Sequence, residues 1–253
     1  LQWSTYFGGE GMDIIEDVTI VDPTEFTGGI YITGHTSTGK IPSNTTSPLP
    51  AQRDGSFPLS DPLGGLDYFQ NLQGPSRTGF VSKFNRKHLL LWSTFLGGQG
   101  DDRLVSIAST SAGEVCVAGT SWDAMAGNPS VLSCSANNNG FFPICNSNGT
   151  SFSVATASSS TDLVLAKFNQ ADQLVWSSFY DTNGSLGSLI PTQNRRSPTQ
   201  AVDIAVDTDD NLLVTGMIGY DPMASLPMMQ TQTFPNFYNQ TSHSSAFDNL
   251  PEG

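Results

Sequence analysis

The residues best placed to do chemistry are two aspartates that each follow a glycine cluster. GGEGMDIIE (residues 8–16) fits the calcium nonapeptide G-G-x-G-x-D-x-U-x throughout, and GGQGDDRLV (residues 97–105) is its second copy. Asp13 and Asp102 are therefore the candidate calcium ligands. A calcium ion takes about six to eight oxygens, and nonapeptides supply them when turns stack in tandem. These copies are single and far apart, so a calcium β-roll is excluded. A lone ion would rest on one carboxylate and nearby carbonyls. The competing reading is a tight connection in which glycine permits positive φ and the aspartate caps turn amides.

Other groupings carry less. DTDDN (residues 207–211) imitates the start of an EF-hand loop, but Leu212 and Ile218 stand where the glycine and the bidentate glutamate belong, so it reads as a hairpin turn. His35, His88 and His243 lie far apart, and none has a metal-type partner two to four residues on. There is no nucleophile elbow, phosphate loop, zinc-protease helix or sialidase-type Asp-box, and no carboxylate pair assignable across a glycosidic bond. No catalytic residue and no cofactor beyond the calcium candidate is assigned.

Cys134 and Cys145 flank a polar loop and are the disulfide candidate for an exported protein. Cys116, in the apolar run EVCVAG, reads as a buried thiol. Asn44, Asn148, Asn183 and Asn239 head Asn-x-Ser/Thr sequons, which are glycosylation candidates in loop-like sequence.

The 253 residues carry a formal net charge of −13, and their ten Lys and Arg are scattered. Nucleic acid and anionic membranes would find no basic patch and are therefore poor partners, and no nucleic-acid partner is expected. No apolar run approaches the roughly 20 residues of a membrane span. Few charges, many turn formers and short β-branched runs fit an all-β chain.

What positions the aspartates is a repeat. WSTYFGGEG (residues 3–11) returns as WSTFLGGQG (residues 92–100) and more weakly as WSSFYDTNG (residues 176–184). FVSKFNRKHLLLWSTF (residues 80–95) aligns without a gap to VLAKFNQADQLVWSSF (residues 164–179). IYITGHT, VCVAGTS and LLVTGMI recur behind VTIVD, SIAST and DIAVD, and Phe57-Pro58, Phe142-Pro143 and Phe234-Pro235 follow them. Each unit thus holds four short strand-like runs separated by turns. Four antiparallel strands repeated about an axis is the β-propeller arrangement, which leaves sheet edges short and protected. Trp3, Trp92 and Trp176 then hold equivalent positions suited to packing between blades, while Lys83 and Lys167 are expected at a solvent-facing or blade-edge position.

These motifs, in this order, resemble the SBBP repeat, a bacterial and archaeal β-propeller unit with the approximate form DAFVAKFN, LLWSTYLGG, GIAVD and GNIYVTGxT. The resemblance covers nearly all strand segments but neither the long stretches between them nor the Phe-Pro pairs. It implies a secreted or surface-exposed propeller, often part of a larger protein, and no established catalytic activity.

The expected fold is an incomplete propeller arc with long insertions on one face. Residues 1–7 form the last strand of a preceding blade, 8–97 a blade with an insertion at about 37–78, 98–182 a blade with an insertion at about 122–161, and 183–253 a partial blade. Sequence beyond residues 1 and 253, or partner chains, should complete the ring. Because meander connections alternate between sheet ends, the glycine loops and the insertions share one face, called the top here.

The leading functional expectation is a non-enzymatic extracellular or cell-surface structural and adhesion module, binding through that face. Its partners would be proteins or glycans at the cell surface, or other copies of itself. The alternatives are a carbohydrate-active or other hydrolytic propeller, and a calcium-stabilised surface-layer or filament subunit.

Overall fold

The computed structural model describes residues 3–21, 29–37, 56–71, 73–122, 134, 142–146, 161–180 and 199–218. These residues are all-β, with every strand pairing antiparallel and no helix among them, hence no helix able to cross a membrane. β1 (Asp13–Val21), β2 (Gly29–Thr36), β3 (Thr78–Phe84) and β4 (Leu90–Leu96) form the first sheet in that order. The second is built from β5 (Asp101–Ser109), β6 (Val115–Trp122), β7 (Cys145–Asn146), β8 (Asp162–Phe168) and β9 (Leu174–Tyr180), in the spatial order β5-β6-β8-β9-β7. β10 (Thr199–Val206) and β11 (Leu212–Ile218) pair as the third.

The sheets stack through their first strands, β5 packing on β1 and β10 on β5. Each first strand carries a β-bulge at the same repeat position, between Ile15 and Asp17, Leu104 and Ser106, and Ala201 and Asp203. The extra residue bends the strand. Gly34, Gly119 and Gly216 lie opposite, where a Cβ would meet the carbonyls of Ile14, Arg103 and Gln200. That close approach explains the glycine in every ITG, VAG or VTG run.

Just past the bulges, Asp17, Ser106 and Asp203 form a ladder across the three inner strands. The Ser106 hydroxyl lies 2.9 Å from Asp17 Oδ2 and 2.7 Å from Asp203 Oδ1, and the Ile107 amide donates to Asp17 Oδ2 at 2.9 Å.

Four hairpin turns repeat one geometry. In residues 85–89, 110–114, 169–173 and 207–211 the first amide donates to the last carbonyl, and the fourth residue adopts positive φ: His88 (63°), Gly113 (75°), Asp172 (59°) and Asp210 (61°). A left-handed residue at this place is the usual device of such loops, and Asp tolerates it better than most. Three of the four left-handed residues use their side chains across sheets or against the 3–7 segment. His88 stacks on Trp3 with centroids 4.5 Å apart, Asp172 pairs with Lys83, and Asp210 accepts from the Ser111 amide and hydroxyl at 2.7 and 2.6 Å.

The cores repeat as well. Phe57, Phe80, Phe84 and Ile32 cluster on one side of the first sheet, against Phe7. Their repeat counterparts Phe142, Val164, Phe168 and Val117 cluster between the first and second sheets, with Leu96 in the place of Phe7. Trp3 packs edge-on to Phe84 at 6.1 Å and 62°, and Trp92 to Phe168 at 5.4 Å and 66°. Residues 3–7 therefore sit against the first sheet as β4 sits against the second.

Phe57 and Phe142, the aromatic halves of two Phe-Pro pairs, are fully buried. Each anchors a strap that returns along the outer strand. Ser60 bridges Ser93 of β4, and Cys145 pairs with the counterpart Ser177 of β9. Pairing of this kind covers the exposed outer edge of a sheet. The third pair, residues 234–235, lies outside the described residues.

Candidate functional site

At the top, between the first two sheets, the chain forms a cleft of about 600 Å³ lined by Met12, Ser37, residues 73–77, Asp101 and Trp122. The lining comes from strand ends and from the 73–77 segment that leads into β3. Met12 precedes β1, Ser37 follows β2, Arg77 precedes β3, Asp101 opens β5 and Trp122 closes β6. Met12 and Ser37 tie the rim together, the Ser37 amide donating to the Met12 carbonyl at 2.9 Å and the Met12 amide to Ser37 Oγ at 3.0 Å.

The polar wall is rigid. Arg77 donates to Asp101 through Nε at 2.8 Å and Nη2 at 2.7 Å, a two-point pairing that fixes the guanidinium plane. Arg103 donates to the same carboxylate at 2.8 Å. Two guanidiniums thus face one carboxylate, a cationic excess in a strongly acidic chain. Gln73 Nε2 donates to the Thr36 carbonyl at 3.2 Å. Met12 and Trp122 are about half exposed and supply the apolar side. His35 is buried nearby, Nδ1 3.6 Å from Glu16 Oε1, and burial holds its pKa below the ordinary histidine value against the opposite pull of Glu16.

An aromatic surface, a thioether and fixed planar polar groups suit recognition of a ligand with both apolar and hydrogen-bonding faces. The polar groups lining the cleft hold no nucleophile paired with a base.

Asp13 and Asp102 lie beside this region and act on their own loops. Asp13 Oδ2 accepts the Gly9 amide at 2.7 Å, and Asp102 Oδ2 the Gly98 amide at 2.7 Å. Thr36 Oγ1 also donates to Asp13 Oδ1. A Cβ at Gly97 would lie 2.6 Å from Asp102 Oδ2, and Gly8 has φ of 145° with the Asp13 carboxylate packed against it. The Gly-Gly-x-Gly-x-Asp pattern therefore builds a capped turn. No group of three metal-ligating side chains comes together among the described residues.

Cys134 and Cys145 are joined by a disulfide, which ties down the strap of the second sheet. Cys116 is a buried free thiol, its pKa pushed up to about 12, chiefly by burial. Asn44, Asn148, Asn183 and Asn239, with His243, lie outside the described residues. In the DTDDN turn, Asp207 accepts the Asp209 and Asn211 amides at 2.9 and 2.8 Å, as a hairpin cap does.

One expectation is corrected. Lys83 is buried, not solvent-facing: its Nζ lies 2.9 and 3.1 Å from the Asp172 carboxylate oxygens and 5.1 Å from the Tyr31 ring centroid. Tyr31 donates to Asp172 Oδ1 at 2.7 Å. The counterpart Lys167 is partly exposed and pairs with Glu114.

The cleft itself was missed in sequence because its lining comes from five separated segments. The available signal was Trp122, an aromatic residue standing where a strand gives way to a long insertion.

No protein-family model matches the chain, and no curated protein is significantly similar to it in sequence.

Proposed function

We propose that the chain is an arc of an SBBP-like β-propeller serving as a non-catalytic, extracellular recognition and adhesion module. Its binding site is the top-face cleft between the first two sheets, and its ligand is a glycan or protein at the cell surface. The observation that carries this reading is the cleft: half-exposed Met12 and Trp122 share it with the paired Arg77 and Asp101, on the face where the long insertions attach.

Repeated bulges, turns and aromatic contacts support the propeller arrangement, in which such top-face clefts lie between blades. The Cys134–Cys145 disulfide supports an oxidising compartment. The test is a glycan array and a cell-surface protein array probed with wild type, Trp122→Ala and Met12→Ala. The reading expects selective binding that both substitutions weaken at least tenfold, without turnover. Hydrolysis of a bound glycan that Asp101→Asn abolishes would replace it with the enzymatic alternative.

A further inference from the structure

The amine of Lys83 is placed for chemistry as well as for charge pairing. In the first sheet Lys83 lies between Tyr31 of β2 and Trp92 of β4, its partners in register, and both rings are buried. Lys83 itself is 5% exposed and Asp172 8%, so the two charged groups are withdrawn from water. Nζ stands 3.1 Å from Oδ1 and 2.9 Å from Oδ2 of Asp172. A nitrogen that close to both oxygens is within the roughly 3–3.5 Å near-attack range of the carbon between them. The Tyr31 hydroxyl donates to Oδ1 at 2.7 Å, and burial raises its pKa, which keeps it a donor. The hairpin holds Asp172 in place, at φ 59° with its amide donating to the Asn169 carbonyl at 2.9 Å.

A buried ion pair carries the desolvation cost of both ions. Condensation to an amide removes both charges, and fixed geometry gives the two groups an effective concentration that free groups never reach. We infer that Lys83 and Asp172 are a modification site, at which the folded chain slowly joins Nζ to Cγ as an isopeptide bond between the first and second sheets. The freshly folded chain carries the ion pair, and the energetics of the ion pair are those of this fresh form.

The step balances with water as the sole by-product. The ammonium first passes one proton to Oδ2, giving a neutral amine beside a carboxylic acid. The amine lone pair then forms the Nζ–Cγ bond, and the displaced electron pair collects on Oδ1, where the Tyr31 hydroxyl already donates. The nitrogen gives a second proton to Oδ2, the Cγ–Oδ2 bond breaks, water leaves and the Oδ1 carbonyl re-forms. The product ties residues 89 apart in the chain, as a disulfide would restrict the unfolded state. Lys167 and Glu114 form the other lysine–carboxylate contact among the described residues, but their side chains are 24% and 26% exposed. Those ions stay hydrated, and the contact is expected to remain an ion pair.

This inference does not rest on the cleft, so its failure leaves the recognition reading standing, and the array result does not bear on it. The test is mass spectrometry of the reduced whole chain, fresh and after prolonged incubation, followed by peptide mapping. The incubated chain is expected to be lighter by one water, with a branched peptide joining Lys83 to Asp172 and with Lys167 unlinked. Lys83→Arg keeps the positive charge beside Asp172 but offers no nucleophilic amine, so it is expected to hold its full mass. Tyr31→Phe removes the Oδ1 donor and should slow the loss of water about a hundredfold, the scale of one oxyanion donor. Circular dichroism checks that each variant folds, and the wild-type map alone decides whether the bond exists. An unchanged mass in the incubated wild type, a loss of water that maps elsewhere or persists in Lys83→Arg, or an undiminished rate in Tyr31→Phe would each overturn the inference.

Discussion

Lys83 of the first sheet and Asp172 of the second form a buried ion pair, Nζ to Oδ2 2.9 Å, with Asp172 held at φ 59° in a hairpin turn. The pair joins the sheets where Tyr68 also clips on, its amide donating to the Asp172 carbonyl at 2.9 Å. Burial raises the Asp172 pKa, while Lys83 and the Tyr31 hydroxyl work to lower it. Removing one partner of such a pair costs about 3–5 kcal/mol because the other charge stays buried, whereas replacing both is far milder. Lys83→Met should therefore lower unfolding stability by about that amount, and Lys83→Met with Asp172→Asn should recover most of it. Denaturant melts of the two variants check this; equal stability of single and double variants would contradict the coupling.

Asp67 should make the strap sensitive to pH. Both its carboxyl oxygens are buried, and burial, followed by the side-chain hydrogen bond and the charge of neighbouring Asp61, pushes its pKa up to about 7. The charged groups acting on it are Asp61 and Asp172. A folded-state pKa above the ordinary carboxylate value means the folded chain holds the proton more tightly. Its stabilising contribution is then full at pH below about 4 and disappears as pH rises through about 7. Melting temperature across that window should fall more steeply for wild type than for Asp67→Asn, and parallel profiles would contradict the assignment.

Gly97→Ala should destabilise the second glycine loop, since its Cβ would be driven into the Asp102 carboxylate that caps Gly98. A loss of about 1–3 kcal/mol is expected, the range for strain and a broken buried hydrogen bond. A chelator should leave the melting temperature of wild type unchanged, because the cap is made by the protein's own amides. A chelator-induced drop would instead restore Asp13 and Asp102 as calcium ligands.

Reducing the Cys134–Cys145 bond, which closes a separation of 11 residues, should cost about 2–3 kcal/mol through freedom returned to the unfolded chain. Comparison of Cys134→Ser/Cys145→Ser with wild type by chemical denaturation measures it. The loss should centre on the strap, so exchange of the Cys145 and Ser177 amides should accelerate most.

The repeat was legible in the sequence because strands, turns and the Phe-Pro anchors are local signals. Trp3, Trp92, Phe57 and Phe142 stand where their spacing placed them. Contacts between distant segments were not legible. Nothing local to Lys83 distinguishes it from Lys167, yet one meets a left-handed Asp172 from the next sheet and the other a glutamate. Ser60 and Cys145 likewise give no local sign that they return to the outer strand. The cleft belongs to this second kind, assembled from strand ends that only folding brings together.

The recognition cleft is tested most directly by the indole N–H resonances of the four tryptophans on adding the tightest array ligand. Trp92 is buried, its Nε1 donating to the Tyr68 carbonyl at 2.8 Å, and serves as an internal control. Binding at the cleft predicts a shift of the Trp122 resonance with that of Trp92 unmoved. Saturable binding that leaves Trp122 unshifted would contradict the account.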